Sequence, residues 1–232
     1  MAIGGEELKS SRRSVGVLFS GGLDSAALIA FLLSKGHEVW PVYVRSGLRW
    51  ERAEEKAAKA YVRAIKHPSL RPIKLATLFL EDAYRNNWSE KGLTPGADSD
   101  DRAVFLPARN LLLVTKSLLF LSSRGIFDIA MATLKGNPFA DARPSYFRIL
   151  ERVLAGGFAH PVKVFTPFRS WSKSRVIRAT ARYPLHLSLS CVSPSAGVHC
   201  GRCNKCAERK EAFKKAGVPD KTRYRRTPRE KS

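Results

Sequence analysis

A short run of small and hydroxyl-bearing residues near the N-terminus could bind the phosphates of a nucleotide. The run follows Phe19 and reads Ser20, Gly21, Gly22, Leu23, Asp24 and Ser25. Two glycines let the backbone turn tightly and present bare N–H groups, while a following helix directs its positive dipole end at the same place. The serine hydroxyls add donors, so we predict a nest for phosphate oxygens. Asp24 is predicted either to hold Mg²⁺ at the phosphates or to cap the helix.

A second chemical motif contains every cysteine of the chain: Cys191, Cys200, Cys203 and Cys206. Four thiols at the spacing Cys-x8-Cys-x2-Cys-x2-Cys suit a tetrahedral metal site. Zn²⁺ is the predicted metal, and an iron–sulfur cluster is the alternative. Four protein ligands leave no open coordination position, so the site is predicted to be structural. We expect His199, beside the second cysteine, to be a neighbour and not a ligand.

The elements that must position these motifs alternate between strands and helices. Apolar runs predict strands at 15–19, 39–44, 73–78, 127–132 and 162–165. Helices are predicted at 24–33, 50–65, 108–123, 144–154, 172–182 and 207–216, with Ser172 as an N-cap and the third helix buried on nearly every side. Polar residues at 90–102 predict a loop over one end of the sheet. This order favours a Rossmann-like α/β fold, a parallel sheet with helices on both faces, followed by the four-cysteine metal-binding segment.

Composition places the chain among soluble globular proteins, with 44% hydrophobic and 26% charged residues. No signal peptide or bilayer-length apolar run is visible, so we expect a cytoplasmic protein without membrane contact. Lys and Arg number 41 against 20 Asp and Glu, a net charge of +21 that suits either a polyanion such as tRNA or a solvated basic surface. We predict a nucleotide-binding domain at 1–186, a zinc-binding segment at 187–219 and a basic, disordered tail at 220–232.

The phosphate motif lacks the Gly-Lys-Ser/Thr ending of kinase loops and resembles the pyrophosphate loop of enzymes that split ATP between the α and β phosphates. Five further motifs follow it before the cysteines: Pro107-Ala108-Arg109-Asn110, Gly136-Asn137, Asp141-Ala142-Arg143-Pro144, Thr166-Pro167 and Ser172-Lys173. The combination resembles the 7-cyano-7-deazaguanine synthases of queuosine and archaeosine biosynthesis, a route of tRNA modification. The resemblance covers residues 15–224, nearly the whole chain.

The resemblance implies a homodimeric ligase that adenylates the small-molecule 7-carboxy-7-deazaguanine with ATP and forms the nitrile with ammonia. The 232 residues leave no room for a glutaminase domain, so we expect ammonia itself to be the nucleophile. Catalytic roles fall on Ser20, Asp24, Ser25 and Lys173. ATP contacts fall on the residues from Phe19 to Ser25 and on Arg109 and Asn110. Substrate contacts fall on Gly136, Asn137, Asp141 and Arg143.

Several of these residues have a structural alternative. Arg109 and Asn110 could instead cap a helix, and Gly136 and Asn137 could form an ordinary turn. Asp141 and Arg143 could pair with each other, and Lys173 could be exposed to solvent. Two segments also differ from the family pattern: residues 43–51 lack its Gln-x-x-His element, and residues 136–141 are shorter. The alternatives for function are therefore an adenylating enzyme acting on tRNA or on another carboxylate, and a non-catalytic zinc-bearing nucleic-acid binder.

Overall fold

One parallel sheet of five strands forms the centre of the computed structural model, which describes residues 12–47, 50–79 and 106–225. Along the chain the strands are β1 (Ser14–Leu18), β2 (Glu38–Arg45), β3 (Lys74–Thr77), β4 (Asp128–Ala130) and β5 (Lys163–Phe165). Their order in the sheet is β3-β2-β1-β4-β5. The strand order reverses between β1 and β4, and ligands bind at the carboxyl ends of strands beside such a reversal.

Helices cover both faces of this sheet, which confirms the predicted fold class. Within the described ranges they are α1 (Leu23–Ser34), α2 (Glu51–Ala64), α3 (Arg109–Ser122), α4 (Pro144–Phe158), α5 (Lys173–Thr180) and α6 (Asn204–Ala216). One core cluster joins β1 to α1, α2, α5 and α6, and the other joins the sheet to α3 and α4. None of these helices is both long and apolar enough to cross a bilayer.

The residues of β1 explain how the helices on the two faces pack on the sheet. Val15 and Val17 are fully buried in the first core cluster, as the apolar run predicted. Gly16 faces the other layer, where an added Cβ would lie 2.2 Å from Leu121 Cδ1. Glycine at this position therefore lets α3 pack directly on the central strand.

The prediction that α3 is buried on nearly every side is wrong. It buries Leu113, Val114, Leu118 and Leu121 against the sheet, but Leu119 is 58% exposed. Leu119 is the exposed residue of this helix, and the residues away from the sheet contact are partly buried, because the helix forms an outer layer. Helix α4 also extends beyond the predicted end at 154, because it continues to Phe158.

The cysteine segment packs against the core of the parallel sheet and its helices. Helix α6 begins at Asn204, earlier than predicted, and buries Ala212, Phe213 and Ala216 in the first core cluster. The predicted disordered tail at 220–232 is wrong for residues 220–225. Thr222 is buried there, and its hydroxyl accepts a hydrogen bond from Arg209. The predicted loop at 90–102 and the rest of the tail at 226–232 lie outside the described residues.

Candidate active site

A cavity of about 400 Å³ opens at the carboxyl ends of the central strands. Among the predicted site residues, those that line it are Phe19, Ser20, Gly22, Leu23, Asp24, Ser25, Arg109, Asn110, Asn137, Asp141 and Lys173. Gly21, Gly136 and Arg143 do not line it. The fold thus brings most of the residues that the sequence proposed for chemistry to one place.

The loop after β1 is arranged to bind an anion. Gly21 adopts φ +76°, a conformation that favours glycine, and an added Cβ would lie 2.6 Å from the Glu54 carbonyl oxygen. The hydroxyls of Ser20 and Ser25 are 3.1 Å apart, and the Gly22 N–H donates to Ser20 Oγ at 3.3 Å. The amides in the first turn of α1 have no acceptor within the helix, so they are free to bind phosphate oxygens.

Lys173 lies among carboxylates at the edge of this loop. Its Nζ is 3.3 Å from Asp24 Oδ2 and 2.5 Å from Glu208 Oε1, and its side chain is only 20% exposed. Burial lowers the pKa of Lys173, but the two carboxylates outweigh that effect and raise it above its ordinary value. The ammonium therefore stays charged beside the phosphate nest, and Lys173 is not the solvent-exposed residue of the alternative interpretation.

Glu54 faces the same cavity from α2. The Tyr43 hydroxyl donates to Glu54 Oε2 at 3.2 Å, and the Trp50 side chain also hydrogen-bonds this carboxylate. Burial raises the pKa of Glu54 to about 7, against the opposing effect of the Arg109 guanidinium and of these hydrogen bonds. The cavity thus contains a carboxyl group that can exchange a proton at neutral pH.

The predicted substrate residues separate into two groups. Asp141 is buried and accepts a hydrogen bond from the Asn110 N–H at 3.1 Å, while Asn110 Nδ2 donates to the Asp141 carbonyl oxygen at 3.1 Å. Arg143 is exposed at the start of α4, so Asp141 pairs with Asn110 in place of Arg143. Gly136 is exposed in the turn after β4, while Asn137 reaches the cavity.

Three buried polar atoms on the cavity wall have no hydrogen-bond partner within the described chain. They are Asp24 Oδ1, Arg109 Nε and Thr133 Oγ1. Because burial without a partner costs free energy, such atoms indicate places where a ligand completes the hydrogen bonding. Residues 20–25, whose predicted role is phosphate binding, are called the phosphate loop below. A free carboxylate oxygen at this loop also fits Mg²⁺, which binds through one or two carboxylates together with substrate phosphates.

The four cysteine sulfurs form a compact cluster beside the cavity. All of them lie within 4.8 Å of one another, and the Cys191–Cys203 and Cys200–Cys206 sulfur pairs are each 3.9 Å apart. The Cys200 N–H donates to the Cys191 sulfur at 3.3 Å. These contacts are compatible with metal binding. His199 lies outside the cluster, because its Nε2 accepts the Ser190 N–H at 3.1 Å.

The cysteine segment also closes one side of the cavity. The Leu189 N–H donates to the Gly21 carbonyl oxygen at 2.8 Å, so this segment supports the phosphate loop directly. Arg209 is 1% exposed, and its guanidinium donates to Ser188, Ser190, Thr222 and the Leu185 carbonyl oxygen. The cysteine cluster, the loop and the core are therefore one connected structure.

The cavity wall also contains Tyr43 and Trp50 of the segment 43–51, which was expected to face the substrate. Four further wall residues belong to no predicted motif: Glu54, Thr133, Glu208 and Arg209. Tyr43 and Thr133 had a usable signal, because each lies at or beyond the carboxyl end of a predicted strand. Glu54 and Glu208 lie on helices rich in charged residues, and such residues ordinarily face solvent. Nothing local distinguished them.

The strand order and the loop after β1 together define a protein with the pyrophosphate-loop fold. The chain belongs to the family described as "Queuosine biosynthesis protein QueC", whose model matches residues 14–217. A 7-cyano-7-deazaguanine synthase from Syntrophobacter fumaroxidans is 31% identical, with 92% of this chain and 97% of that protein covered. One from Ralstonia pickettii is 30% identical, with 90% and 97% covered.

A solved structure supports the fold independently. The U34-tRNA thiolase from Methanococcus maripaludis, described with its 4Fe–4S cluster, superposes with a TM-score of 0.50 over 91% of this chain and 67% of that one. It is 13% identical to this chain, so the likeness concerns the fold alone.

Proposed function

We propose that this chain is an ATP-dependent ligase that converts 7-carboxy-7-deazaguanine and ammonia to 7-cyano-7-deazaguanine, with release of AMP and pyrophosphate. The observation that supports this proposal is the cavity at the strand reversal. The phosphate loop lines one part of it, and Arg109, Asn137 and Asp141 line another. An acid held near these residues would face the α-phosphate of an ATP bound at the loop.

In the first step the substrate carboxylate attacks the α-phosphorus, and the bond to pyrophosphate breaks. The first-turn amides of α1, the hydroxyls of Ser20 and Ser25 and the Lys173 ammonium would bind the departing pyrophosphate. These donors are fixed before the reaction, so they stabilise the charge that develops as it leaves. Mg²⁺ held by Asp24 Oδ1 would neutralise part of that charge when bound.

In the later steps ammonia replaces AMP on the acyl carbon and forms an amide. The amide oxygen then attacks the α-phosphorus of a second ATP and displaces pyrophosphate. The C–O bond to AMP breaks and the two amide protons pass to solvent, which leaves the nitrile. Arg109 suits the carboxylate of the incoming acid, because its buried Nε has no other partner in the described chain. Asn137, and Asp141 held by Asn110, would contact the deazapurine.

Zinc is the metal that best suits the cysteine cluster. A tetrahedral ion with a Zn–S distance of about 2.3 Å separates its sulfurs by about 3.8 Å. The two measured sulfur pairs, at 3.9 Å each, agree with that separation. With four protein ligands, zinc here would stabilise the support of the phosphate loop and take no part in the reaction.

The test is to incubate the purified protein with ATP, Mg²⁺ and ammonium, and to measure AMP and pyrophosphate with and without 7-carboxy-7-deazaguanine. Product formation that depends on this acid, with the nitrile identified by mass spectrometry, is the expected result. Turnover that requires tRNA or a different carboxylate would contradict the proposed substrate while leaving adenylation intact. The homodimer and a tRNA contact remain predictions.

A further inference from the structure

We propose that Glu54 is the general base that takes a proton from ammonium during amide formation, a role that rests on the ligase reaction proposed above. The Glu54 carboxylate lines the cavity and is oriented by the Tyr43 hydroxyl and the Trp50 side chain. Glu54 lies outside every motif that the sequence analysis identified.

The position of Glu54 follows from the way α2 packs on the phosphate loop. An added Cβ on Gly21 would lie 2.6 Å from the Glu54 carbonyl oxygen and 3.2 Å from Ala58 Cβ, so this turn of α2 contacts the loop directly. Tyr43 reaches the same carboxylate from the end of β2. Glu54 is therefore held between a strand end and the loop, beside the place where the adenylated acid would lie.

The chemistry requires a proton acceptor at this point. Ammonia is mostly ammonium at neutral pH, and ammonium has no lone pair with which to attack. The Glu54 carboxylate accepts one proton, and the freed lone pair forms the C–N bond at the acyl carbon. The C–O bond to AMP then breaks, and AMP leaves with its electron pair. The surplus proton on the new amide nitrogen passes to solvent, as does the proton on Glu54 before the next cycle.

The other carboxylates of the described cavity wall are engaged. Asp24 and Glu208 are ion-paired with Lys173, and Asp141 accepts the Asn110 N–H. Glu54 has hydrogen-bond donors but no ion pair among the described residues. A carboxylate of this kind can bind an ammonium ion and then accept its proton.

The charged groups around Glu54 support this role. Arg109 of α3 lowers the pKa of Glu54 by its positive charge, and the Tyr43 hydroxyl of β2 lowers it by a hydrogen bond. Glu51 of α2 raises it by its negative charge. Together with burial these leave the pKa of Glu54 at about 7. An efficient base has a pKa close to the working pH, because it is then both ionised and a sufficient acceptor.

The decisive experiment separates adenylation from amide formation in Glu54→Gln. Adenylation is measured as acid-dependent exchange of labelled pyrophosphate into ATP without ammonium. Amide formation is measured as the ammonium-dependent release of AMP. We expect Glu54→Gln to keep the exchange and to lose about 100-fold or more in the ammonium-dependent rate. Hydroxylamine, which is largely unprotonated at neutral pH, should restore turnover.

The pH profile gives a readout that a structural role would not produce. The wild-type rate per ammonium ion should have a limb that rises with pH and levels above about 7, where Glu54 is ionised. Glu54→Gln, which can use only free ammonia, should lack this levelling. Tyr43→Phe removes a hydrogen bond that lowers the pKa of Glu54, so the limb should move to higher pH. This second variant tests the proposal even if Glu54→Gln folds poorly.

Glu55→Gln is the matched control, because the Glu55 carboxylate pairs with Arg45 and Lys59 and does not line the cavity. If Glu54→Gln keeps the wild-type ammonium-dependent rate and pH limb, Glu54 is not the base, and the proposed ligase function still stands. An equal loss of exchange and amide formation would also overturn the role of Glu54 as the base, because it would indicate substrate positioning. Failure of the wild-type protein to exchange pyrophosphate with the acid would instead overturn the proposed function.

Discussion

Asp24 and Lys173 form an ion pair between the first turns of α1 and α5, with 3.3 Å between Oδ2 and Nζ. The same ammonium reaches Glu208 of α6, whose carboxylate also pairs with Lys205 at 3.2 Å. Four side chains thereby connect the phosphate loop to the helix that follows the cysteine cluster. Burial raises the pKa of Glu208, but Lys173 and Lys205 lower it by more, so the net pKa is lowered. The network therefore stays charged.

Replacement of Lys173 by methionine should abolish most ATP turnover. It removes the only ammonium that pairs with Asp24 in the described chain, and it leaves Asp24 and Glu208 without this partner. We expect AMP formation to fall about 10²–10³-fold, the usual effect of removing a donor that stabilises transition-state charge. Lys163→Met, at a surface pair with Glu151, is the control and should turn over normally. Equal rates for the two variants would contradict a role for Lys173 in phosphate binding.

Substitution of Gly21 by alanine should destabilise the loop and weaken ATP binding. The residue has φ +76°, and its added Cβ would meet the Glu54 carbonyl oxygen at 2.6 Å. We expect a loss on the order of 1–3 kcal/mol in the free energy of unfolding, measured with urea, and weaker ATP binding by calorimetry.

A second glycine provides the control for this prediction. Gly156 lies within α4 and has open space around its added Cβ, so Gly156→Ala should stabilise the protein by about 0.5 kcal/mol. Its ATP binding should be unchanged. If Gly21→Ala binds ATP as tightly as Gly156→Ala does, the loop does not require its left-handed turn.

The cysteine cluster should contain one zinc ion for each chain. Cys203→Ser removes a buried ligand, so metal analysis should show loss of zinc and thermal unfolding should begin at a lower temperature. Ser195→Ala lies in the same segment but outside the cluster, and it should keep both the metal and the stability. A brown protein with visible absorption would replace zinc with an iron–sulfur cluster.

Glu54 should make stability depend on pH. Its pKa rises from 4.5 to about 7 in the folded protein, so its contribution to stability is present below about pH 4.5 and is lost as the pH rises through 7. Glu54→Gln should therefore be more stable than the wild type at pH 8, by about 1–3 kcal/mol, and closer to it at pH 5. Urea unfolding at the two pH values measures this difference.

Glu55→Gln should behave in the opposite way. The Arg45 hydrogen bond holds the pKa of Glu55 at about 2, so its contribution is present above about pH 4.5 and is lost as the pH falls towards 2. This variant should be the less stable protein at pH 8. If both variants change the free energy of unfolding at pH 8 in the same direction, Glu54 does not lie in a buried environment that raises its pKa.

The loop and the cysteine cluster could be predicted because their residues are nearly contiguous. Gly21, Gly22 and the serines beside them determine a local backbone geometry wherever a strand precedes and a helix follows. Cys200, Cys203 and Cys206 are likewise close enough in sequence for one turn to bring their sulfurs together. Strands and helices were also predictable, since apolar runs and helical spacing depend on short-range periodicity. The observed ends of these strands and helices differ from the predicted ends by a few residues.

Other features of the site depend on packing between distant segments. The sequence could not show that Asp141 pairs with Asn110, or that Lys173 lies buried between Asp24 and Glu208, because each contact joins different elements of the fold. Glu54 resembles its neighbour Glu55 in sequence, yet one carboxylate faces the cavity and the other pairs with Arg45. The amino-acid sequence determined which chemical groups are present and the local turns that carry them. Only the tertiary structure decided their partners and their charge state, because burial and nearby charges are set by chain segments far away in sequence.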